Sequence, residues 1–164
     1  MQSGEVMAGL QGKHFYLQFV GDVRLPWCVT LENHCQNVIE NSEINRVSID
    51  LNAAENLDST TLGVLAKVAL LVKKSLGIKA DLYSVDENIQ RLVQSMGFAA
   101  IFNIRDEVIA ALPDLLPIRF VESEEEDVRE AVIDAHRALI DVDESNRAKF
   151  QGLVETLKGK NNNS

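Results

Sequence analysis

The stretch from 48 to 65, SIDLNAAENLDSTTLGVL, joins a strand pattern to a helix pattern through a polar loop. Polar and apolar residues alternate from 46 to 52, which is the period of a β-strand. After Asp58, three hydroxyl residues stand in a row where helix-forming residues begin. One side chain is enough to cap the amino end of a helix, so capping alone does not account for all three.

The sequence on both sides of this stretch alternates between strand and helix patterns. Helix-forming residues continue from Ser59 to Leu76, and Gly77 after two lysines indicates the carboxyl end of that helix. The other predicted elements are strands at 5–10, 14–20, 79–85 and 100–104 and helices at 27–39, 87–96 and 106–112. This order predicts an α/β fold, in which a mostly parallel sheet is made mixed by an opening hairpin and is covered by helices.

Composition restricts the class of protein. The chain has 164 residues, of which 46% are hydrophobic and 25% charged, as in a soluble globular protein. The formal net charge of −9 argues against a nucleic-acid surface. No stretch approaches the roughly 20 apolar residues of a membrane span, and the first residues lack signal-peptide features. We therefore expect a cytoplasmic protein that binds neither nucleic acid nor a membrane.

The cysteines and histidines do not indicate a redox or metal site. Cys28 and Cys35 lack the spacing of a CxxC motif, so we expect two reduced thiols on one side of a helix. His14, His34 and His136 are too scattered along the chain to predict metal ligands.

The composition changes after Pro117. Between Glu122 and Glu144 there are ten acidic and two basic residues, a net charge of −8. Apolar residues at helical spacing predict one helix there and a second at 145–157. We therefore expect a domain at 1–116, an acidic helical extension at 117–158 and a disordered tail at 159–164. The acidic helix is interpreted either as a solvated face or as a second docking element.

Where the extension packs is also left open by the sequence. Its apolar residues can rest on the domain, on each other or on a neighbouring molecule. We favour packing on its own domain, because a linked segment has a high effective concentration there. We expect the extension to tune the choice of partner rather than to form part of the core.

The loop and helix start resemble the STAS domain of bacterial anti-sigma factor antagonists. That family has an Asp followed by Ser-Ser/Thr-Gly-Leu-Gly-Val/Ile-Leu, and this chain matches at Asp58, Ser59, Thr60, Leu62, Gly63, Val64 and Leu65. Thr61 stands where the family usually has Gly. The resemblance covers about 4–115. With its extension, the chain is similar to longer antagonists of Gram-negative bacteria, some of which act in motility, secretion and biofilm control.

The resemblance implies a phosphorylation switch. In this family a partner serine kinase, of the GHKL type or linked to a response regulator, modifies the Ser that follows the Asp, which is Ser59 here. A PP2C-type phosphatase reverses the modification, and the dephosphorylated form binds an anti-sigma factor. A helix start tolerates phosphate, whereas a charge buried in a partner interface costs several kcal/mol. Thr60 and Thr61 are secondary candidates for the modified residue.

The expected partner surface combines two loops that leave strands at the same end of the sheet. The resemblance implies that the partner contacts the loop after the second strand and the start of the helix that begins at Ser59. The predicted partner-binding residues are Asp22, Arg24, Asn52, Asp58, Thr60, Thr61, Leu62 and Val64.

The sequence also bears on other classes of protein, including enzymes, receiver domains and phosphotransfer proteins. The residues around Ser59 lack the glycines of a hydrolase elbow, and no phosphate-binding loop occurs, so we expect neither an enzyme nor a cofactor. A receiver-like phosphorylation domain would use Asp50, but Asp22 alone is available for its acidic pair. His136 lacks the neighbours of a phosphotransfer histidine and is expected to be an exposed helix residue. Within the family, an accessory STAS subunit of a transport complex is the runner-up.

Overall fold

The computed structural model describes residues 4–162, and the side chains of 4–159. It contains seven strands, five α-helices and two short 3₁₀ helices over this range. The strands are β1 Glu5–Gln11, β2 His14–Val23, β3 Arg46–Asp50, β4 Ala54–Leu57, β5 Ala80–Tyr83, β6 Phe102–Arg105 and β7 Leu116–Pro117. The helices are α1 Cys28–Asn41, α2 Ser59–Leu76, α3 Glu87–Ser95, α4 Glu125–Val142 and α5 Asn146–Asn162.

The sheet has the predicted mixed topology. Its order is β6-β5-β3-β2-β1-β7, and β4 pairs with the end of β2. Strands β2, β3, β5 and β6 are parallel, whereas β1 forms the antiparallel opening hairpin with β2. The predicted α/β fold is therefore confirmed.

Alternation along the strands separates a core face from a polar face. Phe15, Leu17 and Phe19 on β2 are buried in the hydrophobic core. On the polar face, Asp81 accepts hydrogen bonds from Arg46 at 3.1 Å and from Arg105 at 3.3 Å. The helices lie on the apolar side because that is the side where strand and helix can bury apolar area together.

Three local predictions differ from the structure. No helix forms at 106–112, because Val108 is 65% exposed and a short segment without an apolar contact is marginal as a helix in water. The sequence analysis also missed β4, in which only the end residues are buried, and the two-residue β7. Strand β2 runs to Val23, so the loop after it is shorter than predicted.

The C-terminal extension forms two helices that pack on the rest of the molecule. Residues such as Ala135 and Leu139 of α4 are fully buried and belong to the same core cluster as the sheet. The expectation that the extension lies outside the core is therefore wrong, while the expected packing on its own domain is confirmed. Helix α5 continues to Asn162, past the start of the predicted disordered tail, and 163–164 lie outside the described residues.

Both cysteines lie on one helix, as the sequence analysis expected. Cys28 and Cys35 are free and buried on α1, and burial raises the pKa of Cys28 to about 11 and that of Cys35 to about 12. Within 4–162, we find no helix that combines the length and the apolar character needed to cross a membrane.

Candidate functional site

The site is built around the amino end of α2. Asp58 caps this helix, and its Oδ1 accepts a hydrogen bond from the Thr61 backbone N–H at 2.8 Å. Its Oδ2 accepts a second bond, from the Leu25 N–H at 2.6 Å. One carboxylate therefore fixes the α2 start against the segment that leads from β2 into α1.

The three consecutive hydroxyl groups have different surroundings. Thr61 is buried, and its hydroxyl donates to the Val23 carbonyl at 3.2 Å. Thr60 is also buried. Ser59 is half-buried, and its Oγ lies 2.8 Å from Nε2 of His136 on α4. Ser59 is therefore the one hydroxyl of the three that is open to solvent in part.

His136 is buried, at 1% exposure, so the expectation of an exposed helix histidine is wrong. Its Nδ1 lies 2.7 Å from the Val132 carbonyl, which only accepts hydrogen bonds. In the neutral ring, Nδ1 must then carry the proton and Nε2 must accept one. The Ser59 hydroxyl consequently donates to Nε2 of His136. The imidazole ring of His136 also packs edge-on against the Phe150 ring of α5, with the ring centroids 5.1 Å apart.

A groove of about 470 Å³ lies beside this hydrogen bond. Its floor includes Ser59, and its walls come mainly from the extension. Apolar side chains of Leu25, Val128, Val132, Leu153 and Leu157 line it, together with the charged residues Asp58, Glu125 and Arg129. The predicted loop-and-helix surface is therefore joined by a third part, which the sequence analysis did not place there.

The two predicted loops do meet at one end of the sheet. Asp22 pairs with Asn56 across β2 and β4, two residues before Asp58. The Arg24 Nε donates to the Asp22 carboxylate at 2.7 Å, and this bond raises the pKa of Arg24. Asp22 is half-buried and Arg24 is exposed, so both side chains are accessible.

Asn52 ties neighbouring loops together at the same end. Its Oδ1 accepts from the Val85 N–H at 2.8 Å, and its Nδ2 donates to the Glu107 carbonyl at 3.1 Å. Its amide is therefore engaged inside the molecule, and its role in partner binding remains a prediction.

Four of the predicted partner-binding residues are not on the surface. Thr60, Thr61, Leu62 and Val64 are all at most 3% exposed. These four side chains are therefore not open to a partner in this conformation, and their role in partner binding stays a prediction. Helix α4 packs against one face of α2. Gly63 shows how close the two helices are: a Cβ at this position would overlap the Ala135 carbonyl.

The other candidate residues do not form a second site. Asp50 is buried and accepts hydrogen bonds from Gln18 Nε2 at 3.0 Å and from the Asn52 N–H at 2.9 Å. Among the described residues, no group of three His, Cys, Asp or Glu is arranged to hold a metal ion.

Comparison with known proteins identifies the fold family. The sequence model of the STAS domain matches residues 12–111. The chain belongs to the STAS domain family. A solved structure of the anti-sigma factor antagonist SpoIIAA in its unphosphorylated form is similar to this STAS protein, with a TM-score of 0.53 and 8% sequence identity. The match covers 65% of this chain and 90% of the SpoIIAA chain. No curated protein sequence matches this one.

The family match ends before the extension begins. Helices α4 and α5 follow residue 111, so the cover over Ser59 and Gly63 comes from outside the matched STAS region. His136 was missed because the sequence was searched for ligand and phosphotransfer motifs. A signal was present, since 136 stands four residues after the apolar Val132 and therefore on the same helix face.

Proposed function

We propose that this protein is an anti-sigma factor antagonist whose partner binding is switched by phosphorylation of Ser59. A serine kinase would transfer the terminal phosphoryl group of ATP to Ser59 Oγ, with loss of the hydroxyl proton. A PP2C-type phosphatase would restore the hydroxyl, and the dephosphorylated form would bind the anti-sigma factor. On this proposal the protein acts in the cytoplasm as a binding protein rather than as an enzyme.

The observation that carries this proposal is the position of Ser59. It is the first residue of α2, it follows the Asp58 cap, and it is more accessible than Thr60 or Thr61. Backbone N–H groups at a helix start and the helix dipole tolerate an added phosphate. Phosphorylation would therefore leave the domain folded and would change the charge of the groove.

The proposed partner surface consists of the groove rim and the adjoining β2 loop. Leu25, at 36% exposure, and Leu153, at 41%, are exposed apolar side chains that line the groove. Asp22 lies near the end of β2, and Arg24 follows that strand. A partner that covers this rim would have to bury the negative charge of a phosphate on Ser59, which weakens binding. Asp22→Lys should weaken binding with little loss of stability.

The test is phosphosite mapping and co-purification from native cells. Wild-type protein, Ser59→Ala and Ser59→Asp are compared, with Ser75→Ala as a matched control on an exposed serine at the other end of α2. We expect phosphate on Ser59 that is stable in acid and labile in alkali, and an anti-sigma factor bound to wild type, Ser59→Ala and Ser75→Ala. Ser59→Asp should bind less.

Two results would contradict the proposal. One is phosphate on Thr60 or Thr61 alone. The other is an identical set of bound proteins for Ser59→Ala and Ser59→Asp, with no anti-sigma factor among them.

A further inference from the structure

The contact between Ser59 and His136 makes the groove sensitive to what is attached to Ser59. The hydroxyl donates to Nε2 at 2.8 Å, and Nδ1 donates to the Val132 carbonyl at 2.7 Å. A phosphorylated serine has no hydroxyl proton to donate, and its phosphoryl oxygens are strong acceptors. Phosphorylation would therefore place acceptor oxygens against an acceptor nitrogen.

We propose that the groove is a binding site for the phosphoryl group of Ser59 within the same chain, and that His136 holds this group as an imidazolium. The inference rests on the proposed phosphorylation of Ser59. A proton taken up from solvent at Nε2 turns His136 into a donor on both nitrogens. Nδ1 keeps its bond to Val132, and Nε2 donates to a phosphoryl oxygen.

Once Ser59 carries a phosphate, the charged groups that line the groove together with His136 would favour this proton uptake. Asp58 of α2 and Glu125 of α4 are carboxylates, Arg129 of α4 is the guanidinium in the groove, and Phe150 of α5 is uncharged. A phosphate dianion makes this set strongly negative. His136 is buried, so the excess negative charge is screened much less than in water. Protonation of the ring supplies one positive charge at hydrogen-bond distance.

The groove also has the space that the phosphoryl group needs. At about 470 Å³ it is far larger than a phosphoryl group, and Ser59 is part of its lining. Asp58 already uses both carboxylate oxygens, one for the Thr61 N–H and one for the Leu25 N–H. On this proposal the phosphate occupies the open space of the groove, and the Asp58 cap and the α2–α4 contact stay in place.

The experiment uses the full chain with phosphoserine incorporated at position 59 by codon reassignment, so that no kinase is needed. Nitrogen NMR of the His136 ring at pH 7.5 should show a neutral ring with one N–H before modification and an imidazolium with two N–H groups after it. Phosphorus NMR should show that the phosphate stays a dianion to lower pH than in the same protein unfolded in urea. The difference should be about tenfold in proton affinity, as expected for one close opposite charge.

His136→Gln removes the titrating ring and keeps a side chain that forms hydrogen bonds. In this variant the difference in phosphate titration between the folded and the unfolded chain should become smaller, and what remains is due to the helix start and Arg129. His34→Gln is the matched control, because His34 is half-buried on α1 and does not line the groove. With phosphoserine at position 59, His34→Gln should show the same phosphate titration as the wild-type sequence.

A neutral His136 ring in the phosphorylated wild-type chain would overturn the inference, and so would equal phosphate titration in the folded and unfolded chain. Faster hydrogen exchange throughout α4 after modification would also overturn it, because the phosphate would then have expelled the helix. All three outcomes are measured on the wild-type sequence with phosphoserine at position 59, so they do not depend on whether a substituted variant folds. They also test a different claim from the proposed function. The proposed function fails if native cells leave Ser59 unmodified, even if the protein with incorporated phosphoserine shows the His136 imidazolium.

Discussion

Helices α1 and α4 both pack on α2, but they come from different parts of the chain. Helix α1 lies within the matched STAS region and contacts α2 through its apolar face and an ion pair between Glu32 and Lys67. Helix α4 lies beyond that region and approaches so closely that Gly63 has no room for a Cβ. Both helices contribute to one core cluster. A boundary drawn by family resemblance is therefore not a boundary in packing.

The contributions of α1 and α4 to stability can be compared by truncating one buried leucine on each helix. Leu31 on α1 is 1% exposed and Leu139 on α4 is 0% exposed. Truncation of either residue to Ala should lower the free energy of unfolding by about 2 to 5 kcal/mol, because each leaves a cavity in the same core. Urea unfolding followed by circular dichroism measures both. Leu153→Ala, on the exposed side of α5, is the control and should cost much less. A Leu139→Ala effect as small as that of the control would show that α4 contributes little to the core.

Two glycines test the closeness of the α2–α4 contact. Gly63→Ala should destabilise the protein by about 1 to 3 kcal/mol, because the new methyl group overlaps the Ala135 backbone. Gly152→Ala on α5 is matched in chemistry, and a Cβ there meets nothing within 4 Å. It should stabilise α5 by up to about 1 kcal/mol through helix propensity. Opposite signs in thermal unfolding are expected, and a stabilising Gly63→Ala would mean that α4 does not pack this closely.

The cap at Asp58 tests the side of the site that leads into α1. Asp58→Ala removes acceptors for the Thr61 and Leu25 N–H groups and should cost about 1 to 2 kcal/mol. Asp58→Asn keeps an oxygen acceptor and should lose less. Chemical denaturation of both variants measures the difference. Equal losses would indicate that charge, rather than the hydrogen bonds, accounts for the stabilisation.

The cysteines of α1 report whether that helix stays packed when the α4 contact is disturbed. Burial raises the pKa values of Cys28 and Cys35 from 9.0 to about 11 and about 12. Since both pKa values are raised, the stability that the neutral, buried thiols contribute is fully present below about pH 9. It is lost as the pH rises through the folded-state pKa values. At pH 8, alkylation of both thiols should be slow in wild type, and in Gly63→Ala it should rise no more than the lower free energy of global unfolding requires. Fast alkylation in that variant would mean that α1 and α4 open together.

The sequence predicted the strand and helix order because each long element carries its own periodicity. Helix α2 has the predicted bounds, since Asp58 caps one end and Gly77, at φ 70°, ends the other. The segment at 106–112 did not become a helix, since its amphipathic pattern is short and Val108 stays mostly exposed, at 65%. Strand β4 was missed because its pairing with the end of β2 depends on a register shift at Gly21, which no local pattern shows.

The candidate site was predictable only in part. Asp58 and Ser59 stand next to each other in the chain, so a local motif is enough to find them. The Ser59–His136 hydrogen bond joins residues 77 positions apart, across a boundary where the family resemblance ends. Periodicity places His136 on the apolar face of α4, but it does not say which residue of α2 lies opposite.

The short β7 strand bears on how the protein behaves at high concentration. It covers the outer edge of β1 at Met7 and Ala8, and the sheet order ends with it. A sheet edge is a template for pairing with a second molecule, and natural proteins interrupt such edges with short strands and proline. With two residues, one of them Pro117, β7 offers an incoming strand almost no ladder, although Leu116 is 74% exposed. The same strand that leads the chain towards α4 therefore also limits aggregation through the edge of the sheet.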